Sequence, residues 1–227
     1  MISYKEALAL IYKEAEKINP GIEEVDLINS LNRIAAEDVT ADVDIPPFDN
    51  SAMDGFAIKY SGERQRKIIG EISAGNYKEF VIENNDAVGI TTGSKIPEGA
   101  DTVVPIEDVI IENEMLIIKE GVVFRKGSNV RPKGSDLLMN SITVSKYSNI
   151  NPSVIATLAS CGKEKIKVFK KLKAGILATG DELIQISEKP CGDKIRASNN
   201  YALESALYSI HQEPISCGFL NDDRKAI

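Results

Sequence analysis

The sequence predicts a mixed α/β, multidomain chain in three parts: a discontinuous helical domain over residues 1–45 and 143–168, an inserted all-β domain over 46–142, and the start of a parallel α/β domain over 169–227. Three observations carry this reading. Helical spacing opens the chain and returns after Asn151-Pro152. From Phe56 to Val144, short apolar runs alternate with Gly, Asn and charged turns and show no helical period. After Lys167, a strand, a loop, a helix and a second strand follow in that order, which is how a parallel sheet begins.

The elements follow in chain order. Ser3 and Glu6 have the spacing of a capping box, and Ala7, Leu8, Ile11, Ala15 and Ile18 recur on one helical face until Asn19-Pro20-Gly21 stops the run. Leu27, Leu31 and Ile34 predict a second, shorter helix over Asp26 to Ala36. Within the β region, Val109 to Ile118 reads as a hairpin turning over Glu112-Asn113-Glu114. Pro152 suits the first position of a helix and Gly162 the place just past its end. Val154, Ile155, Leu158 and Ala159 are expected to pack that helix against the amino-terminal helices. A buried-type strand, Ala174 to Ala178, then leads into Thr179-Gly180-Asp181-Glu182, followed by a helix over Tyr201 to Ile210 and a strand from Pro214 to Phe219. Two strands do not complete a parallel sheet, so the chain reads as the amino-terminal part of a longer protein.

Composition narrows the chemistry. A net charge of -7 argues against a broad electrostatic hold on nucleic acid or an anionic membrane, so neither is an expected partner. The scattered charges of MISYKEALALIYKEAEKI fit neither a signal peptide nor a membrane span. Cys161, Cys191 and Cys217 form no C-x-x-C pair, read as packing residues, and point to a reducing, cytoplasmic setting. With His211 as the one histidine, and placed near a helix end, carboxylates and main-chain groups must carry the polar chemistry. Neither G-x-G-x-x-G nor G-x-x-x-x-G-K-[ST] occurs.

Four stretches could face a ligand. In DIPPFDNSAMDGFAI, Asp49 and Asp54 either present carboxylates to a metal or phosphate or belong to a turn rich in Pro, Asn and Gly. In ITTGSKIPEGAD, Thr91, Thr92 and Gly93 can offer hydroxyl and N–H donors to an oxyanion, or simply turn the chain. NVRPKGSD brings Arg131 and Lys133 near Asp136, as a phosphate contact with a metal carboxylate or as a solvated loop. ATGDEL lies at the carboxyl end of the first parallel strand, where open α/β sheets take their ligands, and Asp222 and Asp223 end the next strand. Acidic clusters at one sheet edge suit Mg²⁺, which takes few carboxylates plus water and phosphate oxygens, although Asp181 or Asp222 could instead cap a helix.

Taken in series, PPFDNSAMDGFAI, TTGSKIPEGADTVVPIED, NVRPKGSD, ILATGDEL, IRASNNYAL and GFLNDD resemble the MoeA-type molybdopterin molybdenumtransferases, the family that includes the gephyrin E domain. The resemblance runs from about residue 4 to the last residue. It implies molybdenum cofactor synthesis: adenylylated molybdopterin and molybdate as substrates, Mg²⁺-dependent cleavage of the pyrophosphate link, and release of AMP. It implies a cytoplasmic homodimer whose β domain faces the α/β domain of the other subunit, with a MogA-type adenylyltransferase as a candidate partner and a MogA-like fold for the molybdopterin-binding part. Family catalytic positions fall on Asp54, Thr92, Asp136, Glu182 and Asp222, with Asp54, Glu182 and Asp222 as the magnesium ligands. Cofactor-binding positions fall on Thr179, Gly180, Asp181, Ser198 and Asn199. Ala197 and Arg224 depart from the family's Asp and Pro at those places, and the chain alone is expected to be inactive. The alternatives are a non-catalytic, gephyrin-like scaffold that binds peptides and a general Mg²⁺-dependent phosphohydrolase.

Overall fold

The computed structural model describes residues 2–76 and 78–222. Asp223 and Arg224 lie outside the described residues. In chain order the elements are α1 (Tyr4–Ala15), β1 (Ile22–Asp26), β2 (Val39–Thr40), β3 (Asn50–Ser51), β4 (Gly55–Ile58), β5 (Gln65–Ile72), β6 (Asp86–Ile90), β7 (Thr102–Pro105), β8 (Val109–Glu112) and β9 (Met115–Ile118). They continue as β10 (Val130–Arg131), β11 (Ile142–Val144), α2 (Pro152–Ser160), β12 (Lys165–Phe169), β13 (Lys173–Thr179), β14 (Leu183–Ile184), β15 (Ile195–Arg196), α3 (Ser198–Ser209) and β16 (Glu213–Leu220). Two compact units result. One gathers the residues up to Val39 with Val144–Ala159 and those from Lys163 onward, and the other holds Thr40–Thr143 with Ser160–Gly162. No helix among the described residues is long and apolar enough to cross a membrane.

In the first unit α1 begins as its sequence demands. Ser3 Oγ accepts the Glu6 amide at 3.3 Å while the Glu6 carboxylate accepts the Ser3 amide at 2.7 Å, satisfying two donors that a helix start otherwise leaves unpaired. No residue of α1 is buried, and Ala7 and Leu8 of its apolar face are half-buried. The helix expected over Asp26 to Ala36 does not form. Residues Ile22–Asp26 instead pair antiparallel with β12, Ile22 opposite Phe169 and Asp26 opposite Lys165, and only a short 3-10 turn over Leu27–Ser30 follows. The periodic Leu27, Leu31 and Ile34 therefore sit on a turn and its exit, and Ser30 and Ala35 are the fully buried residues of the stretch.

Helix α2 has Pro152 in its first turn, and the Asn151 side chain accepts the Val154 amide at 3.0 Å as its cap. Leu158 is fully buried with Ala35, Val144, Ile150, Ile166 and Val168, and Val154 and Ile155 pack on the same cluster. The helix thus packs on the β1–β12 ribbon and its flanks, rather than on amino-terminal helices. Further along, β13 and β16 pair in parallel with Thr179 opposite Leu220, and α3 packs on both strands.

The second unit is built on a six-stranded sheet in the order β7-β4-β6-β5-β9-β8. All pairs are antiparallel except β5 with β6. Strand β4 is buried on both faces, so Phe56 and Ile58 enter one apolar cluster and Ala57 another. The β8–β9 hairpin turns tightly at Asn113 and Glu114, with φ of 49° and 63°. All three cysteines are free; Cys161 is buried, but Cys191 and Cys217 are exposed, so only the first is a packing residue.

Candidate functional site

Three of the four ligand-facing stretches meet in the second unit. Strand β3 pairs with β10, setting Asn50 opposite Arg131 and Ser51 opposite Val130. The Thr-Thr-Gly loop is laced to the same strand, because Gly93 donates to Ser51 O at 2.8 Å and Ser51 donates to Ser94 O at 3.0 Å. The Ile96 amide donates to Asp49 O at 2.9 Å. Residues some forty and eighty positions apart therefore form one polar surface held by main-chain bonds.

At its centre, Asp54 Oδ1 accepts two hydrogen bonds from one residue: the Thr92 amide at 2.6 Å and the Thr92 hydroxyl at 2.8 Å. The amide bond, with the hydroxyl bond behind it, holds the exposed Asp54 carboxyl below the usual aspartate range. One carboxylate oxygen is thereby fixed, and among the described residues Oδ2 accepts no hydrogen bond. Gly55 explains the Asp-Gly pair. A Cβ there would lie 2.1 Å from Val104 O and 2.9 Å from Pro105 Cα, so only glycine lets β4 lie against β7 immediately after Asp54. Gly93, at φ 81° with open space where a Cβ would be, supplies the left-handed turn that aims the Thr92 donors.

The other acidic residues of this surface have partners. Asp49 Oδ1 accepts the Lys133 amide at 2.7 Å, so it braces the NVRPKGSD loop. Asp136 receives Arg131 Nη2 on both oxygens, at 2.7 and 2.8 Å, and is neutralised by that cation. Asp44 takes the Met139 amide at 2.8 Å and lies 3.3 Å from Lys133 Nζ; the Met139 bond, then Lys133, hold its carboxyl low.

The first unit carries the other predicted residues at the carboxyl ends of β13 and β16. Thr179 closes β13, and the Gly180 amide donates to Leu220 O at 3.0 Å. Asp181 Oδ1 accepts the Asp222 amide at 3.3 Å, which brings the two acidic loops together. Asp181 caps no helix, since β14 follows it, and the residues that an Asp222 cap would serve lie outside the described residues. The Glu182 carboxylate folds back over Gly180, where a Cβ would meet it at 2.6 Å. Ser198 and Asn199 open α3, whose N-cap, Ala197, gives it no side-chain cap. Among the described residues, no group of three His, Cys, Asp or Glu side chains could hold a metal ion. Asp54 belongs to one compact unit and Glu182 and Asp222 to the other.

Two residues at this edge escape sequence reasoning. Lys194 Nζ donates to Asp181 O at 2.6 Å, tying the β14–β15 excursion to the acidic loop. Buried Asn200 donates its amide to Gly218 O at 2.7 Å, while its Oδ1 has no partner. The Asn199-Asn200 pair is visible in the sequence, but nothing local says which amide turns inward.

The family model described as MoeA N-terminal region (domain I and II) matches residues 2–162. A molybdopterin molybdenumtransferase of Synechocystis sp. is 32% identical, with 100% of this chain and 59% of that protein covered. The protein of the same name from Staphylococcus aureus is 35% identical over 96% of this chain and 55% of its own length. The crystal structure of the molybdopterin biosynthesis MoeA protein of Pyrococcus horikoshii superposes with a TM-score of 0.85 at 31% identity, covering 100% of this chain and 62% of that one. The chain thus spans somewhat more than half the length of these relatives, and with a family model matched over most of it, the chain belongs to the MoeA family.

Proposed function

We propose that this chain serves in molybdenum cofactor biosynthesis, and that the protein carrying it inserts molybdate into adenylylated molybdopterin with Mg²⁺-dependent release of AMP. The names of its relatives support the pathway. The observation that carries the chemistry is the Asp54–Thr92 pair, a carboxylate kept ionised by two donors from one threonine. In this reading Asp54 of one subunit works with Glu182 and Asp222 of a second, Thr92 orients water or oxyanion, and Thr179, Gly180, Asp181, Ser198 and Asn199 take the cofactor. Asp136, already paired with Arg131, shapes the loop and positions that cation.

The donor chemistry at the β13 edge fits Mg²⁺. Asp181, Glu182 and Asp222 offer hard oxygens, and the bond from the Asp222 amide to Asp181 holds their loops together. With no three-ligand group among the described residues, water and phosphate oxygens would complete the shell. When bound, the ion would neutralise charge developing on the leaving phosphate. The test is reconstitution of the full-length protein with adenylylated molybdopterin, molybdate and Mg²⁺. AMP and molybdenum cofactor are the expected products, and Asp54→Ala, Glu182→Ala and Asp222→Ala should each fold and abolish AMP release. Near-normal rates in all three would overturn the site.

A further inference from the structure

The first unit contains a cavity of about 450 Å³, bordered by the segment after α1, the β12–β13 connection and the end of α3. It shares no residue with the acidic loops. We propose that it binds a nucleoside phosphate, with the phosphate on Lys170 and Lys171 and the base on the Tyr147–Phe169 ring pair.

Charge is the first argument. The whole chain has 34 acidic to 27 basic side chains, yet the residues lining this cavity include Arg33, Lys170, Lys171 and His211 and no carboxylate. Arg33 is held in place by Glu23 and by a 2.8 Å bond to Phe169 O. Lys170 and Lys171 have no ion pair among the described residues, and the Lys170 stem lies along Gly21, where a Cβ would be 3.6 Å from its Cδ. Glu23, the carboxylate that feels both lysines, is already taken by Arg33, so two exposed ammonium groups on adjacent residues in a concave site suit a further anion.

The rings are the second argument. Tyr147 and Phe169 stack with centroids 5.4 Å apart and planes 7° from parallel, and both line the cavity. Lys146 lies 5.0 Å from the Tyr147 centroid and 5.9 Å from that of Phe169, adding positive charge beside the pair. Tyr147 is 68% exposed, so its ring has surface left for a further partner. Backbone strain collects here as well. Asn32, Tyr147 and His211, at φ of 60°, 70° and 60°, all line this cavity; Asn and His adopt this region readily, but for the bulky Tyr147 it is a costly conformation. Polar edges complete the site. Asn19 Oδ1 is taken by the Gly21 amide at 3.0 Å, leaving its NH₂ as a donor. Gln212 accepts the Leu172 amide on its Oε1 at 2.8 Å and donates its Nε2 to Ile210 O at 3.1 Å, so it walls the site. The volume lies in the range of small-molecule sites and accommodates one mononucleotide.

Calorimetric titration of the whole chain with AMP, inorganic phosphate and adenosine tests the proposal. AMP should bind at least about tenfold tighter than either fragment, since each supplies only one of the two contacts. The K170Q/K171Q double variant should weaken AMP about tenfold or more, and Tyr147→Leu, which removes the ring but keeps bulk, by about tenfold, in line with the worth of one base–aromatic stack. An unchanged melting temperature verifies that the surface variants fold. Absence of AMP binding would overturn the proposal. So would binding that survives K170Q/K171Q but is lost in Asp222→Ala, or equal affinity for phosphate and AMP. The second of these outcomes would place AMP at the acidic loops instead, and the others leave those loops untouched, so the transferase reading on which AMP release rests is judged separately, by its own turnover assay.

Discussion

At the residue scale, the decisive interaction is that of Asp54 with Thr92. Because its pKa is depressed in the folded chain, the pair contributes stability above the unfolded aspartate value, near pH 4, and loses that contribution as pH falls through the lower folded value. Thr92→Val removes the hydroxyl donor and keeps the amide, so the Asp54 pKa should rise part of the way to normal, whereas Thr92→Ser should hold it; an NMR carboxyl titration reads both. Equal values in the three proteins would show that the hydroxyl does nothing for the charge. The Asp-Gly and Thr-Thr-Gly motifs were legible in the sequence as polar turns, but the bond joining them spans 38 residues, and no local pattern specifies a partner that distant. The same reason explains why Asp49 looks like a free ligand in the sequence and is a brace in the structure, since its partner is the distant Lys133 amide, whereas the pairing of Asp136 with Arg131 lies within one motif and their proximity was legible there.

At the scale of elements, legibility followed locality. The capping box of α1, the Pro152 start of α2, the β8–β9 hairpin and the β13–α3–β16 order are written in residues a few positions apart. The stretch Asp26–Ala36 failed because β1 is stabilised by β12, some 140 residues away, and tertiary pairing outweighs a helical spacing of three apolar side chains. Strand β5 holds a further long-range device, the fully buried Arg66. Its guanidinium donates to Asn84 O, to Ser61 Oγ at 2.8 Å and to Glu63 O at 3.1 Å, while burial pushes its pKa down. Arg66→Ala should cost about 3–5 kcal/mol in denaturant unfolding, from the cavity and the stranded carbonyls. Arg66→Met should cost less, since it keeps the stem and removes a desolvated charge. Gly55→Ala forces a Cβ onto the Val104 carbonyl, a backbone atom locked into the β4–β7 ladder. A loss of about 3 kcal/mol, or about 6–12 °C in melting temperature, is expected, together with displacement of Asp54.

At the scale of the molecule, the acidic residues divide between two compact units, with Asp54 in one and Glu182 and Asp222 in the other, and the described residues of one chain contain no three-ligand group. The proposed site shared between two subunits would give this division a functional meaning, and complementation tests it directly in the full-length protein. Asp54→Ala and Glu182→Ala homodimers should both be inactive. After subunit exchange between equal amounts, half of the dimers are mixed, and each mixed dimer has one site carrying both lesions and one carrying neither. AMP release should therefore recover to about a quarter of the wild-type rate, as two-fold symmetry requires. If Asp54 acted with Glu182 of its own chain, every site in every mixture would keep one lesion, and no activity would return however long the exchange ran. The mixed dimer, isolated with two affinity tags, should turn over at about half the wild-type rate per dimer, which separates a shared site from incomplete exchange.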